Sequence, residues 1–309
     1  MFESNSFCAV SVRRFSRRHC FALLTVGLTA TWCLADEAQS VPEDLHEPVY
    51  RVTSKHTTTL ETTKLDTHPL DPALDLADKC LRNVEDKVRD YTCTIIKRER
   101  INGTLGEQEF IQAKIRNEQR QGDQVVVPFS VYLKFLKPAT IAGQEVIFVA
   151  GKNDGKLIAH VGGWKGKITP SVWLDPNSML AMRNQRYPIT DIGVRTLCTR
   201  LIEKGKRDRE LGDCEVTFQP AKINKRPSTC IEVKHLERKP HLDFHVARIF
   251  MDDQLQIPIR YAAYDWPLQP GGDVGEDELI EEYTYVNIKT NIGLEDGDFD
   301  PANKEYNMQ

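Results

Sequence analysis

The chain has 309 residues and a formal net charge of −4 at pH 7, with 45 acidic and 41 basic side chains. This balance argues against a nucleic-acid partner, because such proteins carry a basic face that displaces counterions from the phosphate backbone. The motifs GxSxG and HExxH, the P-loop and the dinucleotide fingerprint are all absent from the sequence. We therefore expect no cofactor and find no signature of a nucleophilic enzyme.

Residues 1–35 have the pattern of a secretory leader. Four arginines between positions 13 and 18 precede the apolar run FALLTVGLTATWCLA, which is too short to span a bilayer. Cleavage after Ala35 leaves 309 − 35 = 274 residues and, because the leader carries +3, a net charge of −7. We expect an exported protein, periplasmic or secreted, that is not integral to a membrane. Peripheral membrane association is compatible with this expectation.

Residues 36–70 are polar and Thr-rich without a sustained period, which predicts a disordered linker. A globular domain is predicted over 71–309. It opens with a helix, since Asp71 can cap and Pro72 suits the first turn. One face of that helix carries the apolar positions Ala77, Cys80, Leu81, Val84 and Val88.

Strand-like runs follow the first helix. YTCTIIKRER and GEQEFIQAKIRNEQ flank INGT, and Asn-Gly between alternating runs predicts a hairpin. Further predicted strands are FSVYLKFLKP, GQEVIFVAG, GKLIAHVGG and a short KGKITP. The turns between them are short and Gly-rich, which favours an antiparallel meander.

The middle of the chain predicts helices. Asp175 and Pro176 repeat the cap-then-proline start in LDPNSMLAMRNQ. A second helical segment has Gly205 near its predicted stop. Its apolar stripe is formed by Val194, Leu197, Cys198, Leu201 and Ile202.

Five strands are predicted after these helices: CEVTFQP, STCIEVKHLE, DFHVARIFMD, IPIRYAAYDW and ELIEEYTYVNIK. The order of elements indicates an α+β fold with one long, curved antiparallel sheet. Pro258 cannot donate to a strand ladder, so we place it at a sheet edge or at the start of its strand. An edge proline there would guard against further strand pairing.

Five cysteines follow the predicted leader: Cys80, Cys93, Cys198, Cys214 and Cys230. None belongs to a CxxC pair, which gives structural zinc little support. The odd number leaves at least one thiol unpaired within a monomer. We expect small buried apolar side chains, with one disulfide as an option.

Several segments together resemble a known family. They are YLKFLKP with GQEVIFVAGKNDGKLIAHVG, and the late ARIFMDDQLQIPIRYAAYDW followed by LIEEYTYVNIKTNIGLEDGDFDP. The chain from Leu70 to Gln309 resembles exported bacterial proteins of unknown function that are related to the outer-membrane lipoprotein carrier (LolA-like) superfamily. The resemblance implies an open half-barrel of about eleven antiparallel strands, with helices over an apolar concave face that holds acyl chains in the carriers. No functional residue of the carriers is transferred to this chain.

Incomplete coverage of a half-barrel leaves a cavity for a chain-like ligand. The resulting hypothesis is a non-enzymatic protein that binds a lipid or a lipidated protein. Ordinary core packing is the alternative for every candidate ligand contact. The candidates on strands are Phe135, Phe148, Phe250, Ile259, Tyr261 and Val286, and those on helices are Met179, Met182, Leu197 and Leu201.

Two further patterns suggest other functions. His241, Asp243 and His245 alternate, and on one strand they would form a facial metal site of a metal-dependent enzyme. Pro240 instead favours a loop with solvated histidines. A sugar-stacking platform would make the chain a carbohydrate-binding module, and an envelope scaffold protein is the remaining option. The platform would consist of Trp164, Trp173 and Trp266.

Overall fold

A computed structural model describes residues 50–52, 68–166, 168–267 and 272–308. The predicted leader at 1–35 and most of the predicted linker at 36–70 lie outside the described residues. Within the described ranges there are fifteen strands and three α-helices.

The helices are α1 Asp71–Lys87, α2 Gly163–Gly166 and α3 Val194–Leu211. The strands are β1 Tyr50–Val52, β2 Asp90–Ile101, β3 Thr104–Leu105, β4 Glu109–Arg116, β5 Gln119–Gln121, β6 Gln124–Val127, β7 Ser130–Lys137, β8 Glu145–Val149, β9 Leu157–His160, β10 Val172–Leu174, β11 Cys214–Ile223, β12 Arg226–His235, β13 Val246–Asp252, β14 Pro258–Tyr264 and β15 Leu279–Thr290.

Thirteen of these strands form one antiparallel sheet. Its order is β1-β11-β12-β13-β14-β15-β2-β4-β7-β8-β9-β10, with β3 beside β2, while β5 and β6 form a separate hairpin. The end strands β1 and β10 do not pair with each other, so the sheet is an open half-barrel. The predicted α+β class and open antiparallel sheet are confirmed, with thirteen strands instead of about eleven.

The first helix and hairpin follow the sequence pattern. Helix α1 starts at Asp71 with proline in its first turn and buries Cys80 and Val84. Its N-cap is Leu70, so the predicted cap at Asp71 is wrong. Strands β2 and β3 are joined by Asn102 and Gly103 with φ of 50° and 81°. Both turn residues are left-handed, as an Asn-Gly hairpin requires, so this predicted turn is confirmed.

Helix α3 runs further than the sequence suggests. It continues through Gly205 to Leu211, so the predicted stop at Gly205 is wrong. A Cβ on Gly205 would lie 2.8 Å from Leu74 Cδ2, which shows that the glycine permits close approach of α1. The helix stops instead before Gly212, whose φ of 139° lies outside the helical region.

The predicted helix from Asp175 is absent. Residues 175–184 form successive turns. Asp175 Oδ1 accepts from Asn177 N at 2.7 Å, and Ser178 Oγ donates to the Asp175 carbonyl at 2.7 Å. Such side-chain bonds satisfy backbone groups outside a helix. Asn184 then adopts a left-handed φ of 59°, which prevents helical continuation.

Three other local predictions need correction. The KGKITP strand is wrong, because residues 168–170 form a turn and the strand follows at Val172–Leu174. Within the predicted 36–70 linker, Tyr50–Val52 pair with β11 as an edge strand. The small β5–β6 hairpin was not predicted, because β5 is polar and β6 carries three consecutive valines, so neither strand shows apolar alternation.

Pro258 is the first residue of β14, as one of the two sequence options requires. The edge option is wrong, because β14 lies between β13 and β15. The pairing of β13 with β14 shifts register between Phe250 and Met251, where the proline enters the sheet. Pro258 therefore starts an interior strand and does not guard an edge.

The main core lies between the concave face of the sheet and helices α1 and α3. The convex face is covered in part by the C-terminal segment 291–308. There Phe299, Tyr306 and Met308 pack against Tyr132 and Ile147. The rings of Tyr132 and Tyr306 stack with centroids 4.0 Å apart. A large gap remains on the concave side.

Candidate functional site: a cavity in the half-barrel

A cavity of about 1410 Å³ lies on the concave face. Its floor is formed by β2, β4, β7, β8, β9, β14 and β15, and part of its wall by α3. The cover is the irregular segment 175–193, here called the strap. Ordinary small-molecule sites measure about 300–1,000 Å³, so this cavity has room for a long ligand.

The centre of the floor is apolar because of strand register. Tyr285, Ile95, Ile111 and Phe135 lie directly opposite one another across four neighbouring strands. Side chains at such positions share one face of the sheet. Leu133, Val146 and Leu157 extend this surface toward β9.

One end of the floor is polar. Glu99 and Glu281 are cross-strand partners on β2 and β15, and Lys97 lies opposite Glu109. Lys97 Nζ lies 3.3 Å from Glu99 Oε2 and 3.3 Å from Glu109 Oε2. The Tyr283 hydroxyl donates to Glu99. These five side chains are here called the polar end.

The strap covers the polar end through three consecutive residues. Gln185 Oε1 accepts from Lys97 Nζ at 2.6 Å. Arg186 Nε donates to Glu281 Oε2 at 2.8 Å, and its backbone N donates to Glu99 Oε2 at 3.2 Å. The Tyr187 hydroxyl donates to Glu281 Oε1 at 3.1 Å. The strap is thus tied to the sheet by hydrogen bonds at one end of the cavity.

The charged and phenolic groups of the polar end pair with one another. Burial raises the pKa of Glu109, with the Lys97 ammonium acting against that rise. Burial also raises the pKa of Tyr187 to about 12. The phenol therefore stays protonated and donates. Glu99 and Glu281 each accept from a cation or a phenol, so neither stands as an unpartnered base.

Four of the ten predicted contact residues line the cavity: Phe135, Leu197, Leu201 and Tyr261. The other six lie elsewhere. Phe148, Phe250 and Ile259 are buried in the main core, and Val286 packs with Ile96 and Phe110 in a separate cluster. Met179 is 92% exposed outside the cavity, and Met182 is half-buried without lining it.

His241, Asp243 and His245 lie in a loop. The predicted strand that would align their side chains is therefore absent, and this prediction is wrong. Asp243 pairs with Lys204 at 3.1 Å and with Arg207, and burial lowers the pKa of His245. His245 Nδ1 lies 2.7 Å from the His235 carbonyl oxygen. Across the part of the chain that the structure describes, no cluster of three metal-ligating side chains is present.

The three tryptophans do not form one platform. Trp164 lines the cavity and Trp173 is exposed on β10. Trp266 packs on His245 with ring centroids 5.5 Å apart, and the Arg238 guanidinium lies over its ring. The carbohydrate hypothesis has no aligned stacking surface in these residues.

All five cysteines named above are buried thiols, and no disulfide joins them in the described ranges. Cys80 Sγ donates to the Gln256 carbonyl at 2.8 Å. Burial raises the pKa of Cys214 to about 11 and that of Cys230 to about 12. These thiols are therefore protonated near neutral pH and act as small apolar side chains.

The sequence did contain a signal for the polar end. The strand YTCTIIKRER changes from apolar to charged residues at inward positions, which places Lys97 and Glu99 on the concave face. Glu281 and Glu282 face opposite sides, as strand alternation predicts, and Glu282 accepts from Arg260 Nη2 at 2.6 Å. The partners on the strap had no sequence signal, because they lie in a segment without regular structure.

The chain belongs to the family described as protein of unknown function, DUF1571, which matches residues 88–308. This confirms the predicted membership of a family of unknown function. No curated protein matches the chain. Similar solved structures share little sequence with it.

Three of these structures are the following. A DUF1329 family protein from Desulfovibrio piger has 12% identity and a TM-score of 0.37, covering 76% of this chain and 98% of its own. A putative outer membrane lipoprotein-sorting protein domain from Vibrio parahaemolyticus has 11% identity and a TM-score of 0.34, covering 74% of this chain and 95% of its own. A LolA superfamily protein from Nitrosomonas europaea has 10% identity and a TM-score of 0.30, covering 72% of this chain and 97% of its own.

Proposed function

We propose that the protein is an exported, non-enzymatic binding protein that holds an apolar chain, such as an acyl chain of a lipid or lipoprotein, in the half-barrel cavity. The observation that carries the proposal is the cavity of about 1410 Å³ with an apolar centre under an irregular strap. Binding is favourable when a chain-like apolar ligand displaces water from an apolar cavity, because apolar surface is then removed from water. Each buried methylene contributes about 0.8 kcal/mol, so one acyl chain supplies useful affinity.

The polar end gives the ligand a direction. Three carboxylates and two cations lie at one end of the cavity, while β8 and β9 line it with Val146, Leu157, Ala159 and His160. An acyl chain against this floor would place its polar group toward Lys97, Glu109 and Arg186, where hydrogen bonding is available. The apolar tail would lie along the row that includes Ile111 and Phe135.

The test is native mass spectrometry of protein purified from an exporting host that contains membranes, followed by organic extraction. We expect a stoichiometric bound lipid. Ala159 on β9 is half-buried, lines the cavity and lies between Val146 and Val172, so Ala159→Phe fills cavity space with an apolar side chain. This variant should lower lipid occupancy several-fold.

Ala302→Phe is the matched control, because this alanine lies in the C-terminal segment and does not line the cavity. It should keep full occupancy. A native mass that shows no bound lipid in either the unchanged protein or the control would contradict the proposal. Equal occupancy in Ala159→Phe and the unchanged protein would show that the lipid binds elsewhere.

A further inference from the structure

The exposed apolar side chains of this protein are concentrated at the mouth of the cavity. Of the thirteen large apolar side chains exposed in the described ranges, seven lie between positions 161 and 180. Isolated exposed apolar residues are ordinary, whereas a contiguous group marks an interaction surface. We call this group the apolar rim: Val161, Trp164, Ile168, Val172, Trp173, Met179 and Leu180.

The apolar rim is continuous with the cavity. Trp164 and Leu180 line the cavity and are also 70% and 59% exposed. Ile168 and Met179 do not line it and face solvent, and Trp173 projects from the other face of the edge strand β10, whose Val172 and Leu174 line the cavity. The rim includes β10, the last strand of the open sheet, which has a neighbour on one side only. A surface that touches the rim therefore also touches the cavity mouth.

The charge of this region differs from that of the chain. Residues 156–183 contain four Lys or Arg and one Asp, a net charge of +3, whereas the whole chain carries −4. Exposed indole rings with basic residues nearby are typical of segments that lie at a lipid–water interface. Basic side chains near such a surface are attracted to anionic lipid headgroups.

We infer that the apolar rim docks the protein on an anionic lipid bilayer, with the cavity mouth facing the acyl region. The inference rests on the proposed function, since it supplies a route by which an apolar chain enters the cavity without crossing water. Trp164 and Leu180 are placed to contact both the bilayer and the entering chain. Ile168, Trp173 and Met179 act on docking alone.

The test is flotation of the purified protein with vesicles of phosphatidylcholine alone and of phosphatidylcholine with phosphatidylglycerol. We expect binding to the anionic vesicles that weakens as salt rises, because salt screens the basic residues. The triple variant Ile168→Ser, Trp173→Ser and Met179→Ser should lower the vesicle partition coefficient at least tenfold. The control variant Val125→Ser, Val126→Ser and Leu236→Ser removes exposed apolar side chains that do not line the cavity mouth, and it should bind as the unchanged protein does.

Two results would overturn the inference. One is an unchanged protein that stays unbound to anionic vesicles at low salt, which would assign the rim to a protein partner. The other is a folded triple variant that binds vesicles as well as the unchanged protein does. Lipid occupancy by native mass spectrometry separates this failure from that of the proposed function. The triple variant changes no cavity-lining residue, whereas Ala159→Phe leaves the rim intact and fills the cavity.

Discussion

The concave face of one sheet is covered in two different ways. Over β12 and β13, helices α1 and α3 leave a gap of only about 60 Å³. Over β2, β4 and β7, the strap leaves about 1410 Å³. A helix presents a repeated apolar stripe that interdigitates with a sheet, as Val84 and Cys198 do here. The strap consists of turns and a short 3-10 helix at Ile189–Asp191 and has no such stripe, so it spans the sheet without filling the space beneath.

The polar interactions of the two halves also differ. Between the helices, Arg195 pairs with Glu85, and both side chains are more than 40% exposed. Under the strap, the Glu281 side chain is 4% exposed where it pairs with Arg186. The Arg195–Glu85 pair therefore contributes little to holding the helices together, whereas the strap is held by polar contacts at its edge. Such a cover can open without disrupting a packed core.

The largest expected difference concerns truncation of apolar side chains. Ile231 borders the small gap under the helices, and Leu133 borders the large cavity. Ile231→Ala creates a new void, so we expect it to lower the free energy of unfolding by about 4 kcal/mol. Leu133→Ala only enlarges an existing space and should cost about 2 kcal/mol. Urea denaturation measures both, and equal costs would show that the two halves are packed alike.

The second difference concerns the ion pairs. Arg186→Met leaves the buried Glu281 without its cation, and we expect a loss of about 1–3 kcal/mol, below that of a fully buried pair because Arg186 is one-third exposed. Arg195→Met removes an exposed pair and should cost about 0–1 kcal/mol. Hydrogen exchange should also become faster in the strap of Arg186→Met alone. Unchanged strap exchange would contradict its attachment through Arg186.

The third difference is the sign of the pH dependence. Asp252 in the β13–β14 turn accepts from Arg226 Nε at 2.6 Å and from two backbone N–H groups. Burial pushes the pKa of Asp252 up, but these donors outweigh it and the net pKa is lowered. Its stabilisation is therefore present above the unfolded-state pKa of 3.8 and is lost as pH falls through the folded-state pKa.

Glu109 has the opposite shift, since burial raises its pKa above 4.5. Its ionised form is penalised in the folded state, so its contribution declines as pH rises through the folded-state pKa. At pH 7 we expect Asp252→Asn to lose about 1–3 kcal/mol and Glu109→Gln to gain stability. The difference in the free energy of unfolding between each variant and the unchanged protein should become smaller below pH 4. The same sign for both variants in pH-dependent unfolding would contradict the assigned environments.

Strands and helices with a regular period were predictable from the sequence. The stripe with Val194 and Leu197 predicted α3. Irregular elements were not predictable in the same way. The segment that starts at Asp175 resembles a helix start, yet its side chains bond to their own backbone.

The candidate site was predictable only where periodicity determines a side-chain direction. Phe135 and Tyr261 line the cavity because alternation places them on the concave face. Val286 was misassigned to this face, and the pairing of β15 with β2 shifts register directly after it. Gln185 and Tyr187 were missed because the position of the strap is set by tertiary contacts, which have no local pattern.

The proposed ligand is an apolar chain held in the strap-covered half of the sheet. The most direct measurement is a crystal structure of the protein purified from an exporting, membrane-containing host. We expect continuous elongated density along the row of Tyr285, Ile95, Ile111 and Phe135, with the polar group of the ligand near Lys97 and Glu109. Strap side chains that fill the space against the sheet, or a cavity filled with ordered water in freshly isolated protein, would contradict it.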